Sequence, residues 1–364
     1  MNILILGGSN SLLKDGYVQH LEQALAASGP VQVRQLSVGA TSTLAAIGRL
    51  YDTAGLADVD VILYEYSIND AGHFAWRPDG ARSWLLCLHL LIQAAAQLYP
   101  RAVLVPLVFA MRRFAPLHVN DPFYQAQTET FAALGLPTID LRQWFADLFL
   151  GRVPDWLYGD EAHYAAPHGT TLIGCEIARR LPRLLQEAAP LEATWARMQA
   201  VSPHGSLAMF YVPAAGLAQF ASGPVEVRRD ANRLMDLTFL RLGAGSALAM
   251  RTEMFPLAVY LKSDAQHHDL ALTVESEGVN GTVVTATRHA DTASFRFICS
   301  NLPVPLLFGN TLAVPFGPAS FELAMTPPAA PAVRADFDCF GAAAQPPPAP
   351  HCDLCGILFV ARAA

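Results

Sequence analysis

The sequence predicts an α/β domain with a parallel sheet, followed by an antiparallel β domain of the sandwich or jelly-roll type. Up to about Ala189, short apolar runs alternate with amphipathic stretches of helical length, the pattern of a parallel sheet with crossover helices. From about Met198, short runs of alternating apolar and polar residues take over, and all five tryptophans precede this point. We therefore expect two domains, residues 1–198 and 199–364.

The first strand and the turn after it are the clearest feature of the first domain. Ile3–Leu6 is an uninterrupted apolar run, typical of a parallel strand buried on both faces. Two glycines follow it and permit a tight turn, and the amphipathic stretch Asp15–Ser28 predicts a helix. Ser9 is thereby placed at the carboxyl end of a strand, where open α/β sheets bind their ligands. Considered alone, Ser9 could equally be a turn residue or a helix cap.

Four further strands and five further helices continue the alternation. The predicted strands are Val31–Leu36, Val59–Tyr66, Ala102–Phe109 and Pro137–Leu141. The predicted helices are Thr41–Leu50, Gly80–Leu98, Tyr124–Leu134, Trp144–Leu150 and Pro167–Glu187. Right-handed crossovers between such strands cover both faces of the sheet with helices.

The second domain is predicted from period-two runs and turn signals. The strand candidates are Leu237–Arg241, Leu270–Val274, Thr282–Ala286, Ser294–Ile298 and Gly356–Val360. Asn280-Gly281 lies between two of them and predicts a type I′ hairpin turn. Two segments rich in Pro and Ala, Thr326–Pro331 and Gln345–Pro350, predict extended tethers.

Composition narrows the class of protein. The 364 residues are 52% hydrophobic and 15% charged, as expected of a folded globular chain. The formal net charge of -7 argues against a nucleic-acid partner. The apolar stretch Trp84–Ala96 is too short to span a bilayer and predicts a buried helix. With no signal peptide visible, we expect a cytoplasmic protein with reduced cysteines.

The polar residues at the predicted strand ends supply every role in a serine hydrolase. Such an enzyme needs a nucleophile, a base within hydrogen-bond reach, a carboxylate that orients the base, and donors for the oxyanion. Ser9 is the candidate nucleophile, His163 the base and Asp160 the carboxylate. The N–H groups of Ser9 and Gly39 and the amide of Asn69 are candidate oxyanion donors.

Four short blocks, in order along the first 190 or so residues, resemble the SGNH (GDSL-type) hydrolases. They are Gly7-Gly8-Ser9-Asn10-Ser11, Gly39, Ser67-Ile68-Asn69-Asp70 and Asp160-Glu161-Ala162-His163. The resemblance implies a flavodoxin-like α/β domain in which Ser9, Gly39, Asn69, Asp160 and His163 carry the family's catalytic roles. Two positions depart from the family pattern: Gly8 stands where an Asp is usual, and Ser67 where a Gly is usual. Ser67 is expected to narrow the oxyanion pocket.

The function expected from these residues is a serine esterase that cleaves an acyl ester, acetyl being the expected group, on a carbohydrate or another polar acceptor. The chemistry requires no metal or organic cofactor. Acyl transfer to a carbohydrate hydroxyl is an alternative, because it uses the same residues. A non-catalytic carbohydrate-binding protein on the same fold is a second alternative. The sequence does not indicate an oligomeric state.

Four further residues are candidates for substrate binding because they lie near the motifs: His73, Arg112, Arg113 and His168. Arginine pairs are more often solvated than bound to an anionic ligand. Taken alone, Asp160, His163 and the Asn69-Asp70 pair could likewise be ordinary turn residues.

A group of sulfur and imidazole side chains near the C-terminus leaves three alternatives open. Cys339, His351, Cys352 and Cys355 could bind zinc, the cysteines could form a disulfide, or they could be buried thiols. Buried thiols are favoured because a second closely spaced ligand pair is missing. His267-His268-Asp269 is predicted to be a turn.

Overall fold

Five parallel strands in the order β2-β1-β3-β4-β5 form the sheet of the N-terminal half in the computed structural model. They are β1 Asn2–Gly7, β2 Gln32–Gln35, β3 Val61–Glu65, β4 Val103–Val108 and β5 Ile139–Asp140. This is the flavodoxin-like strand order, so the predicted fold class is confirmed. The structure describes residues 1–53, 58–288, 296–312, 316–325, 333–334 and 351–363. Contacts divide the chain into two units, Met1–Ser202 and Pro203–Ala364.

Eight helices accompany this sheet within the described residues. They are α1 Tyr17–Ala26, α2 Thr43–Tyr51, α3 Ser67–Phe74, α4 Gly80–Leu98, α5 Pro122–Ala133, α6 Leu141–Leu148, α7 His168–Glu187 and α8 Leu191–Val201. Two of them, α3 and α8, were not predicted, and α8 extends past the expected domain boundary. No helix in the described part of the chain has both the length and the apolar character needed to cross a membrane.

Successive side chains along each strand point to opposite faces of the sheet, and helices cover both of these faces. Ile3 and Ile5 of β1 face the same side as Tyr17 and Leu21 of α1 and Ile173 of α7, and together they form one buried core. On the opposite face, Tyr64 of β3 packs edge-on against Phe131 of α5, which in turn contacts Trp84 of α4. Every residue of β3 is buried, as its continuous apolar run predicts.

The C-terminal unit consists of two sheets, as the alternating runs predict. One has the order β16-β13-β12-β15-β10-β7; the other has the order β14-β11-β17-β9-β8, with β6 paired to β17. Apart from the parallel pair β13–β16, all pairings between the described strands of this unit are antiparallel. The rings of Phe321 and Phe359, one from each sheet, pack edge to face. The strands are β6 Leu207–Pro213, β7 Ala221–Ser222, β8 Val225–Ala231, β9 Asp236–Gly243, β10 Ala247–Thr252, β11 Phe255–Ser263, β12 Leu270–Ser276, β13 Val279–Thr285, β14 Ile298–Pro303, β15 Ala319–Ala324, β16 Val333–Arg334 and β17 His351–Arg362, with short helices α9 Ala214–Leu217 and α10 Val304–Leu307.

The hairpin between β12 and β13 exists, but its turn is not at Asn280-Gly281. Ser276 pairs with Val279, so the turn residues are Glu277 and Gly278, and Asn280 pairs with Glu275 inside the ladder. Gly278 has φ of +82°, a conformation that glycine adopts without steric cost. The pairing of the two apolar runs therefore decides the register.

The C-terminal cysteines lie in a strand longer than predicted. Cys352 and Cys355 are buried, unbridged residues of β17, which agrees with the favoured alternative of buried thiols. Cys339 and both predicted Pro/Ala tethers lie outside the described residues. The predicted strand Ser294–Ile298 lies partly outside them as well, and β14 begins only at Ile298.

Candidate active site

The structure brings Ser9, His163 and Asp160 together in a hydrogen-bonded line at the carboxyl end of β1. Ser9 Oγ is 2.7 Å from Nε2 of His163, and Nδ1 of the same ring is 2.7 Å from Oδ2 of Asp160. Ser9 opens a 3-10 turn directly after β1, whereas the other two residues lie in the loop before α7. In this arrangement, the imidazole is able to take the serine proton while the carboxylate holds the other ring nitrogen.

The Asp160 carboxylate is itself held by its own loop. Its Oδ1 accepts hydrogen bonds of 2.8 Å from the N–H groups of Ala162 and His163. Partial burial acts to raise the pKa of Asp160, but the bonds from the His163 ring and from these two N–H groups outweigh it and lower that pKa. The carboxylate is therefore ionised at neutral pH and oriented toward the imidazole.

Asn10, next to the nucleophile, fixes the position of the base. Its Nδ2 donates to the carbonyl of Ala162 at 2.8 Å, and its Oδ1 accepts from the N–H of Tyr164 at 3.0 Å. These bonds bracket His163 on both sides and tie its loop to the end of β1. No role for Asn10 was predicted from the sequence, where the only signal is an amide side chain adjacent to the candidate nucleophile.

The three candidate oxyanion donors also lie around Ser9. A Cβ built on Gly39 would lie 3.4 Å from Cβ of Ser9, so this backbone borders the nucleophile. A Cβ built on Gly8 would lie 1.9 Å from Oδ1 of Asn69, so the Asn69 amide occupies the space that a side chain at position 8 would fill. Among the described residues, the N–H groups of Ser9 and Gly39 and the amide of Asn69 have no hydrogen-bond partner. They are available to a ligand.

Asn69 lies in the first turn of α3, not in a loop, and its neighbours fix that helix. Asp70 is buried and accepts bonds from the N–H and hydroxyl of Thr43 and from the hydroxyl of Tyr64. Burial raises the pKa of Asp70 to about 6, against the opposing effect of these bonds. Ser67 Oγ accepts from the N–H of Phe109 at 2.8 Å. The Ser67 hydroxyl is thus bound to the backbone after β4, contrary to the expectation that it narrows the oxyanion pocket.

A fully buried carboxyl group, Glu65, lies beneath the nucleophile turn. Its Oε2 accepts from the N–H of Gly8 at 3.2 Å and from the hydroxyl of Ser11 at 2.8 Å, while Oε1 has no partner among the described residues. Burial raises the pKa of Glu65 to about 8, although these bonds act to lower it. At neutral pH the group is therefore predominantly the neutral acid.

Replacing Glu65 by Gln is expected to remove a pH dependence of stability. In the unfolded chain this carboxyl ionises near its ordinary value of 4.5, whereas in the folded chain it stays protonated up to about 8. Its contribution to stability is therefore complete below pH 4.5 and is lost as the pH rises through 8. Relative to Glu65→Gln, the wild type should lose on the order of 3–5 kcal/mol of unfolding free energy across this range.

Urea unfolding at a series of pH values measures this difference. Glu22→Gln, on the exposed surface of α1, is the matched control and should keep the wild-type pH dependence. Parallel stability curves for wild type and Glu65→Gln would show that Glu65 is ionised in the folded protein.

The two candidate arginines form ion pairs with the loop that carries the base. A terminal guanidinium nitrogen of Arg112 is 2.7 Å from Asp155, and the backbone N–H of Arg112 donates to the carbonyl of Glu161. Nε of Arg113 is 3.5 Å from the Glu161 carboxylate. Arg112 is thereby assigned to the support of this loop, whereas Arg113 also lines a cavity.

The two candidate histidines lie in α3 and at the start of α7. His73 lies in the last turn of α3, where its ring contacts Phe74. His168 is exposed at the start of α7 and borders a shallow depression together with Trp156.

Four side chains that could ligate a metal ion, among them His351 but neither cysteine of β17, lie close together in the C-terminal unit. Ligand atoms of Asp264, His267, His351 and Asp353 lie within 4.8 Å of one another, and Cys352 and Cys355 are not among them. Lys262 Nζ, however, is 3.1 Å from Asp264 and 3.2 Å from Asp353. The Lys262 ammonium group therefore places a positive charge next to both carboxylates of the cluster. His267 is fully buried and forms an isolated bridge with His351, within the connection between β11 and β12 where a turn is predicted.

Two of the solved structures that are similar to this chain match it over its whole length. A two-domain esterase (CEX) active on acetylated mannans, co-crystallised with mannopentaose, matches with a TM-score of 0.61 at 12% identity, covering 100% of this chain and 91% of that one. A second structure of such an esterase matches with a TM-score of 0.59 at 11% identity, covering 100% and 92%. A member of the lipolytic protein G-D-S-L family from Veillonella parvula DSM 2008 matches with a TM-score of 0.40 at 15% identity, covering 50% of this chain and 99% of that one. No protein-family model and no curated protein sequence matches the chain.

Proposed function

We propose that this chain, which has the fold of SGNH-type esterases, is a serine esterase that removes acetyl groups from a carbohydrate. The observation that carries the proposal is the continuous line Ser9 Oγ, His163 and Asp160, with both hydrogen bonds at 2.7 Å. Three donors without a partner among the described residues lie next to this serine or to the neighbouring Gly8. Together they supply a nucleophile, a base, an orienting carboxylate and an oxyanion pocket.

In the proposed reaction, Ser9 Oγ attacks the ester carbonyl carbon while its proton passes to Nε2 of His163. The carbonyl oxygen becomes an oxyanion that the N–H groups of Ser9 and Gly39 and the amide of Asn69 stabilise. The tetrahedral intermediate then expels the alcohol, which takes the proton from His163, and leaves an acyl group on Ser9. Water, deprotonated by His163, attacks this acyl group, and the acid product leaves as Ser9 regains its proton.

The carbohydrate acceptor is proposed from the comparison and from the surroundings of the site. The two matched structures are of an esterase active on acetylated mannans. This likeness supports the same class of substrate for the present chain. The exposed side chain of Trp76, which follows α3, adds to that support. Acetyl transfer to a sugar hydroxyl would use the same acyl-enzyme and differs only in the group that accepts it.

Labelling and hydrolysis test the proposal. A fluorophosphonate should label wild type and Ser11→Ala, whose hydroxyl is committed to Glu65, but not Ser9→Ala. Wild type should release acetate from p-nitrophenyl acetate and from acetylated mannan. Absence of both labelling and hydrolysis would reduce the chain to a binding protein. Acetate appearing on an added oligosaccharide, in place of free acetate, would identify a transferase.

A further inference from the structure

A cavity of about 370 Å³ opens on the rim that carries Ser9 and is not used by the proposed chemistry. Its walls come from α3 and the two residues after it, from the turn that follows β4, and from the start of α5. Because α3 follows β3 directly, the cavity lies at the carboxyl ends of β3 and β4. Open α/β sheets bind ligands at this edge.

The helix α3 links this cavity to the oxyanion pocket. Asn69, Gly72 and Trp76 are spaced by three and four residues, so they lie along one face of the helix and its continuation. With a rise of 1.5 Å per residue, Gly72 is about 5 Å and Trp76 about 10 Å along the axis from Asn69. A substrate whose ester lies at Ser9 therefore reaches the cavity if it extends by one or two sugar rings.

Trp76 is exposed but held in one orientation. The side chain is 65% exposed, although its Nε1 donates to the carbonyl of Gly72 at 3.1 Å. The guanidinium of Arg77 lies 4.3 Å from the ring centroid and provides a second contact. An exposed, pre-oriented indole loses little conformational entropy when a ligand stacks on it, which is the property of aromatic residues that dominate recognition sites.

The rest of the cavity combines polar groups with apolar surface. Arg113, Asn120 and Asp121 offer hydrogen-bond donors and acceptors, while Met111 and Phe114 offer apolar contacts. A pyranose presents the matching chemistry, since its C–H face is apolar and its edge carries hydroxyl groups. An acyl chain has no groups for the three polar side chains.

We propose that this cavity is a sugar subsite, in which a pyranose ring of an O-acetylated glycan stacks on Trp76 and bonds through its hydroxyls to Arg113, Asn120 and Asp121. The subsite rests on the proposed function, because it holds the part of the substrate beyond the esterified sugar. It makes a carbohydrate chain, rather than a small ester, the preferred substrate.

Gly72 offers a way to block the subsite without removing a contact. A Cβ built there meets nothing within 4 Å, and the residue lines the cavity. Gly72→Leu should therefore fill the cavity, and it replaces a glycine in a helix by a better helix former. Trp76→Ala removes the stacking surface, whereas Trp76→Phe keeps a smaller aromatic one.

The experiment compares acetylated mannan oligosaccharide with p-nitrophenyl acetate. Trp76→Ala and Gly72→Leu should each raise KM for the oligosaccharide by about tenfold or more relative to any change on the small ester, with Trp76→Phe intermediate. Calorimetry on Ser9→Ala protein measures oligosaccharide binding without hydrolysis. When Trp76→Ala or Gly72→Leu is combined with Ser9→Ala, the Kd for the oligosaccharide should rise by the same factor. Trp156→Ala, a 51% exposed tryptophan bordering a different depression, is the matched control and should not weaken binding.

The two proposals fail in different ways. Unchanged oligosaccharide binding and KM in Trp76→Ala and Gly72→Leu would overturn the subsite, as would a loss in Trp156→Ala instead. A Gly72→Leu protein that discriminates only against longer p-nitrophenyl acyl esters would assign the cavity to the acyl chain and also overturn it. If the protein had no hydrolytic activity but still bound the oligosaccharide in a way that depends on Trp76, the subsite would stand and the proposed esterase function would be overturned.

Discussion

Ser9→Ala and His163→Ala are each expected to lower kcat on p-nitrophenyl acetate by on the order of 10⁴-fold or more, and the double variant should be scarcely worse than either. The reason is that Oγ and Nε2, 2.7 Å apart, act in one step, so removing either atom removes the step. Asp160→Asn should cost less but remain damaging, because it loses the charge that stabilises the imidazolium. Steady-state kinetics on purified variants measure all four effects.

Far-ultraviolet circular dichroism and thermal unfolding should be unchanged in these variants, since Ser9 and His163 are partly exposed. Independent, multiplicative losses from the two single substitutions would mean that serine and imidazole do not cooperate. Persistent fluorophosphonate labelling of Ser9→Ala would assign the nucleophile to another serine.

Asn69→Ala is expected to lower kcat by on the order of 10²–10³-fold with a small effect on KM, because an oxyanion donor is strongest in the transition state. Asn2→Ala is the matched control. It removes an amide at the opposite end of β1, where Nδ2 bonds to the carbonyl of Asp58, and kcat should remain within about twofold. A kcat of Asn69→Ala within the same range would show that the Asn69 amide does not face the oxyanion.

Gly8→Ala offers an independent test of the same amide. Its new methyl group would overlap the Asn69 side chain, whose far end is free to swing away. The variant should therefore fold, and it should reproduce much of the Asn69→Ala loss. Combined with Asn69→Ala it should add little, because both substitutions remove one donor. Additive losses in kcat would mean that Gly8→Ala does not act through the Asn69 amide.

Local sequence was sufficient for the sheet and for the rim on which the candidate residues lie. Runs such as Ile3–Leu6 bury on both faces whatever their neighbours are, so strand positions and polarity follow from them. Once five strands are parallel, the residues after them share one edge. That geometry places Ser9, Gly39 and Asn69 near one another without any knowledge of contacts.

Relations between distant residues required the folded chain. Asn10 bonds to the backbone on both sides of His163, although Asn10 and Tyr164 are 154 residues apart in the sequence. No local sequence pattern predicts such a pairing. Asn69-Asp70 reads as a turn pair in isolation, yet the bonds of Asp70 to Thr43 and Tyr64 accompany a helix there. The hairpin turn at Glu277-Gly278 likewise depends on how two strands pair, not on the nearest turn-forming dipeptide.

Charge and exposure were the properties least accessible from sequence. Glu65 ends a strand of apolar residues, and only its complete burial makes it a neutral acid near pH 7. His267 is likewise buried. It lies next to Asp353, which also pairs with Lys262, whereas the polar residues around it in the sequence suggested a turn. Local residue patterns specify the strands and the polar groups available at their ends. The tertiary structure decided which side chains meet and which are charged, because desolvation depends on atoms contributed by the whole chain.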